Sequence, residues 1–151
     1  FWSNGVAVAP DDDFVLVSET AGCRFRRLWL KGDKAGTDDL FIDGLPGAPD
    51  NISVDNTGTF WVGIAGLRDP GFEKLADRLF LRRLMGALPL SALAPDSKHA
   101  FIIGLDGDGR VTHNLQQRQS AFGVTTGALR QGDRLYISNL DTDAIGLLKI
   151  P

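Results

Sequence analysis

Three polar clusters head three similar stretches of this chain, and side-chain oxygens are what they share. Asn4-Gly5-Val6-Ala7-Val8 leads through Ala9-Pro10-Asp11-Asp12-Asp13 into Phe14-Val15-Leu16-Val17. Asp50-Asn51-Ile52-Ser53-Val54 leads through Asp55-Asn56-Thr57-Gly58-Thr59 into Phe60-Trp61-Val62. Thr125-Thr126-Gly127-Ala128-Leu129 leads through residues 130–134 into Leu135-Tyr136-Ile137. Each stretch reads as a hairpin, and hairpins repeated at this scale suggest the blades of a β-propeller. The polar heads would then point at one shared axis, where such a fold keeps its chemistry. Spacing alone leaves two readings of Asn4 and Asp50 equally open: oxygen donors gathered at a shared site, or Asx residues capping strand starts.

The other chemistry-bearing residues read more plainly as structure. His99 and His113 flank strands, with no Cys or carboxylate at ligand spacing. Asp11-Asp12-Asp13 falls in the turn at the opposite end of its hairpin from Asn4, where a solvated turn explains it. Asp106-Gly107-Asp108-Gly109 lacks the spacing and terminal Glu of an EF-hand and reads as a tight hairpin turn. Cys23 is the only cysteine, so no intrachain disulfide can form; it reads as a small packing residue at a strand edge. Trp29, Phe60 and Trp61 sit at strand positions suited to packing between sheets. Phosphate-cradling Gly-rich loops and nucleophile elbows are absent from the sequence.

The elements that must position these residues are mostly strands. The chain has 151 residues, 43% hydrophobic and 23% charged, with 18 glycines, 7 prolines and a net charge of −3. That length supports one domain with a core, and the glycine and proline content fits a turn-rich all-β chain. A mildly acidic chain gives no reason to expect nucleic acid as a partner. No apolar run reaches the roughly 18 residues of a membrane-spanning helix. Strands are expected at about 5–9, 14–19, 24–31 and 38–43; at about 51–55, 60–64, 99–105 and 110–116; and at about 126–130, 134–139 and 144–150. Blades are therefore expected at about 1–46, 47–120 and 121–151. Three blades leave open edges, which implies that the N-terminal half of a ring of about six is absent from this sequence.

One segment breaks the β pattern. Phe72, Leu75, Leu79, Leu84 and Leu88 recur at near-helical spacing, with Pro70 suited to a helix start and Pro89 to its end. A helix near 70–88 is expected between the second and third strands of the second blade, over the face that carries Asn4 and Asp50. It could limit access to that face or fill a gap at the rim. Its Lys74, Arg78, Arg82 and Arg83 could also touch a membrane surface.

Longer runs carry a family resemblance. Ser18-Glu19-Thr20, then Arg24-Phe25-Arg26-Arg27-Leu28-Trp29-Leu30-Lys31-Gly32, then Phe41-Ile42-Asp43-Gly44-Leu45-Pro46-Gly47-Ala48-Pro49-Asp50-Asn51-Ile52 and Asp141-Thr142-Asp143-Ala144-Ile145-Gly146 resemble the C-terminal half of the strictosidine synthase-like family. That family is kin to paraoxonases, gluconolactonases and adipocyte plasma membrane-associated proteins. The resemblance implies a six-bladed propeller with a divalent metal, often calcium, at the top of its central tunnel. It implies Asn4 and Asp50 as metal ligands, with Asn51 as a further ligand of the paraoxonase kind. A hard cation wants oxygen donors, and amides mixed with a carboxylate supply them with limited charge repulsion. The function implied is metal-dependent hydrolysis of a small-molecule lactone or aryl ester. The alternative is a non-catalytic propeller that binds a ligand or partner at the same face. Condensation of an amine with an aldehyde, the namesake chemistry, uses a glutamate where this chain has Thr126. A threonine cannot shuttle protons near neutral pH as a carboxylate can. Thr125 and Thr126 are expected to line the substrate pocket through their hydroxyls.

Overall fold

The computed structural model describes residues 2–68 and 98–150. Among them the chain forms eleven strands: β1 (Ser3–Val8), β2 (Phe14–Glu19), β3 (Arg24–Trp29), β4 (Asp38–Ile42), β5 (Gly47–Val54), β6 (Phe60–Leu67), β7 (His99–Leu105), β8 (Val111–Arg118), β9 (Thr125–Gln131), β10 (Arg134–Asn139) and β11 (Gly146–Lys149). Each overlaps a strand expected from the sequence. The expected helix near 70–88 lies outside the described residues.

The strands form three antiparallel meanders: β1-β2-β3-β4, β5-β6-β7-β8 and β9-β10-β11. The first strand of each lies beside its counterpart in the next, β1 against β5 and β5 against β9. This is a propeller-like all-β arrangement.

Sequence pattern decides which sheet is covered on both faces. In β6 the run Phe60-Trp61-Val62-Gly63-Ile64 is buried throughout, as befits a strand with sheets on either side. Phe60, Val62 and Ile64 join Phe101, Ile103 and Leu105 of β7 in one core with Phe14, Leu16 and Phe25 of the first sheet. Trp61 and Ile102, facing the other way, pack with Ala128, Leu135 and Ile150 of the third. The Phe14, Phe41 and Phe60 rings lie 5.9–6.2 Å apart between the first two sheets. The expected inter-sheet role of Phe60 and Trp61 is what the structure shows. Trp29 packs its ring edge-on to Phe14 at 5.6 Å.

One buried carboxylate links two of the sheets. Asp55, in the β5–β6 turn, accepts hydrogen bonds from the Thr57 and Thr59 N–H groups, the Thr57 hydroxyl and the Trp61 indole. It also faces the Arg130 guanidinium of β9 at 3.5 Å.

Candidate functional site

The heads of β1, β5 and β9 share an irregularity. Ser3 to Val6 is three steps along β1, opposite two along β2 from Glu19 to Val17. Pro49 to Ile52 is three steps along β5, opposite two along β6 from Ile64 to Val62. Thr125 to Gly127 is two steps along β9, opposite one along β10 from Asn139 to Ser138. Each first strand therefore carries one extra residue at its head. Asn4 and Gly5 lie in the first bulge, Asp50 and Asn51 in the second, and Thr126 in the third. A bulge bends its strand and re-aims the side chains within it.

Glycines let the bulged heads close on one another. A Cβ on Gly5 would stand 2.6 Å from the Asp50 carbonyl oxygen and 2.7 Å from the Asn51 Cα. One on Gly127 would stand 3.2 Å from the Asn51 Cβ, and one on Gly63 only 2.4 Å from the backbone of Thr126 and Gly127.

Asn4 and Asp50 come together across 46 positions of sequence: the Asn4 Nδ2 donates to the Asp50 Oδ1. Asn4 and Asn51 are exposed and Asp50 is half-buried. Burial pushes the Asp50 carboxyl above its ordinary pKa, and the Asn4 amide offsets part of that rise. A half-desolvated carboxylate whose side-chain partner is a neutral amide suits a hard divalent cation. Among the described residues no three of His, Cys, Asp and Glu gather around a common point. A cation here would therefore rest on the Asp50 carboxylate, the Asn4 and Asn51 amide oxygens, and donors from elsewhere.

The two threonines part company. Thr125 is fully buried; its hydroxyl accepts from the Phe101 N–H at 3.1 Å and faces the carbonyls of Phe101 at 2.8 Å and Ile64 at 3.0 Å. It ties β9 to the second sheet. Thr126, half-buried in the third bulge, donates to the Ser138 Oγ at 3.0 Å. A shallow groove runs from Asn51 and Ser53 past Gly127 to Tyr136 and Ser138.

Ser18 is the residue the sequence pattern passes over. It is fully buried in β2. Its Oγ accepts from the Gly5 N–H at 2.7 Å and donates to the Asp50 carbonyl at 2.9 Å. The signal was available, because Phe14, Leu16 and Ser18 share one face at the strand period of two, and a hydroxyl closes an otherwise apolar series.

The remaining candidates are structural. His99 stacks on Phe101 and meets the Gln116 Oε1, while His113 packs on Trp61 at 4.8 Å. Asp11 accepts the Asp13 N–H, and Asp106 accepts the N–H groups of Asp108 and Arg110, as turn carboxylates do. Cys23 is half-buried against the first core.

No protein-family model matches the chain. It is 38% identical to strictosidine synthase-like protein 10 of Arabidopsis thaliana over 125 residues, 78% of this chain and 33% of the relative. It is 39% identical to the adipocyte plasma membrane-associated protein Hemomucin of Drosophila melanogaster over a gapped alignment of 185 positions that takes in 99% of this chain and 31% of the relative. The adipocyte plasma membrane-associated protein of Rattus norvegicus is 43% identical over 86 residues, 54% of this chain and 23% of that protein. The chain thus spans a third or less of the length of these relatives. Among solved structures, a gluconolactonase from Xanthomonas campestris superposes with a TM-score of 0.60 at 17% identity, over 99% of this chain and 38% of that one. A calcium-binding regucalcin from Agrobacterium tumefaciens does so with a TM-score of 0.54 at 18% identity, over 89% of this chain and 37% of that one. These structural likenesses establish the shared fold. The homologues of this chain are strictosidine synthase-like proteins and adipocyte plasma membrane-associated proteins.

Proposed function

We propose, from that homology as premise, that the full-length protein carrying this chain is a metal-dependent hydrolase of lactones or aryl esters, with calcium as the metal. The observation that carries the reading is the meeting of Asn4 and Asp50 at two adjacent bulged strand heads, with Asn51 on the same bulge as Asp50. Asn4 and Asp50 would hold the cation, and Asn51 would assist or hydrogen-bond the substrate. A cation so held would polarise a lactone or ester carbonyl or activate a water. Thr126 and Ser138 would orient the substrate by their hydroxyls. The fold shared with a gluconolactonase and a calcium-binding regucalcin is part of the support. The wider frame of the proposal is a six-bladed ring, of which the three sheets are three blades.

The test is calcium-dependent turnover of a lactone panel and phenyl acetate by the full-length protein. Asp50→Ala should lower turnover by at least about a hundredfold, by removing the charged ligand that this chain's described residues supply. Calcium bound with no turnover across the panel would sink the enzyme reading. A second reading, ligand binding at the same face without chemistry, draws on the neutral character of Thr126 and Ser138, neither of which exchanges a proton near neutral pH. Condensation of an amine with an aldehyde is disfavoured by Thr126 on the same ground.

A further inference from the structure

We infer that Ser18, which the sequence pattern passes over, is the positioning residue of the Asn4–Asp50 pair, acting through the backbone of both bulges at once. The inference rests on the metal reading of that pair.

A bulge leaves its extra residue without a ladder partner, and a buried N–H without a partner is costly. At the first bulge the Gly5 N–H is met by the Ser18 Oγ at 2.7 Å. The same hydroxyl donates its one proton to the Asp50 carbonyl at 2.9 Å. A single buried hydroxyl thus serves as acceptor for the residue after Asn4 and donor to Asp50 itself. A hydroxyl is the small side chain that can do both.

The contact is also short of room. Gly5 packs so closely on Asp50 and Asn51 that a Cβ there would fall within 2.8 Å of three of their and Ile52's backbone atoms. Ser18 therefore bonds directly to the backbone of both strand heads; Thr20 adds one hydroxyl bond beside it, its Oγ1 donating to the Pro49 carbonyl at 2.8 Å without reaching β1, and Thr125 joins β9 to the second sheet instead. Ser53 makes a comparable side-chain bond, its Oγ donating to the Ala128 carbonyl at 2.6 Å, but it bridges β5 to β9 and touches neither Asn4 nor Asp50.

Calcium titration of the full-length protein by calorimetry, paired with thermal unfolding in chelator, separates positioning from general support. Ser18→Ala should weaken calcium affinity about tenfold or more, the scale seen when an outer-shell partner of a ligand is removed. Ser53→Ala should lower the unfolding temperature while leaving calcium affinity at the wild-type value. Should Ser18→Ala not fold, Ser18→Cys keeps most of the volume with a weaker donor and acceptor and should weaken calcium binding in the same direction. Wild-type calcium affinity in a folded Ser18 variant overturns the inference, as does an equal loss in Ser53→Ala. A wild-type protein that binds no calcium overturns the metal reading and the inference with it, an outcome distinct from the first two.

Discussion

Asp55 shows how much one buried carboxylate can carry. Burial alone would raise its pKa, but hydrogen bonds from Thr57, Trp61 and the Thr59 N–H outweigh it and hold the group at about 2, against an ordinary 3.8. The folded pKa lies below the unfolded one. Its contribution is therefore complete above the unfolded value and is lost as pH falls through the folded one. That difference corresponds to about 2 kcal/mol near neutral pH. Asp55→Asn puts an amide among donors that need an acceptor, so it should destabilise the protein by at least that much. Denaturant unfolding of both proteins should show a wide gap near neutral pH that closes as pH approaches 2. A gap that does not change with pH would mean that shape rather than charge is what Asp55 supplies. In the sequence Asp55 stands only as a turn residue, because its partners Trp61 and Arg130 are known to be partners only once the sheets are folded together. Asn4 and Asp50 were legible as candidates from their type and place at a strand head; the hydrogen bond between them, across two sheets, was not.

The strands themselves were the legible part, because period-two burial and turn residues are local properties. The clearest shift is at β5, which begins at Gly47 rather than near 51. Gly47 and Pro49 read as turn residues. Pro49 is tolerated within the strand because the register shifts on both sides of it, where a missing N–H breaks no ladder. The bulges and the close approaches were not legible, since they depend on which backbone lies opposite. Gly63 makes the point testable. In sequence it is a gap in the apolar run of β6, yet a Cβ there would meet the Thr126–Gly127 backbone at 2.4 Å. Backbone on both sides leaves no flexible group to yield, so Gly63→Ala should cost about 3 kcal/mol or more. Gly107→Ala, at a turn where nothing lies within 4 Å, should stay within about 0.5 kcal/mol of wild type. Equal, small effects in urea unfolding would mean that β6 and β9 can move apart freely, and that the bulged heads are not held by this contact.

At the scale of the whole molecule, among the described residues the middle sheet packs against a neighbour on both faces and the outer two on one face each. On the outward face of the first sheet, register aligns Val8 with Val15 and Leu28, while Arg26 interrupts the row of Val6, Val17 and Leu40. On the open face of the third, register aligns Leu129, Tyr136 and Leu147. Leu129 is 55% and Leu147 59% exposed in a row of adjacent strands. Contiguous apolar rows of this kind drive association when nothing covers them. These 151 residues span a third or less of the length of the relatives compared, so the same faces can meet different surroundings in the two settings, and one substitution should act with opposite sign. In the isolated chain, Leu129→Lys with Leu147→Lys should reduce self-association in sedimentation experiments without loss of folding. In the full-length protein, where a ring would bury that row, the same pair of charges would be forced against apolar side chains and should lower the unfolding temperature. A full-length protein as stable with the two lysines as without them would show that the third sheet stays uncovered, and would remove the ring closure on which the six-bladed proposal depends.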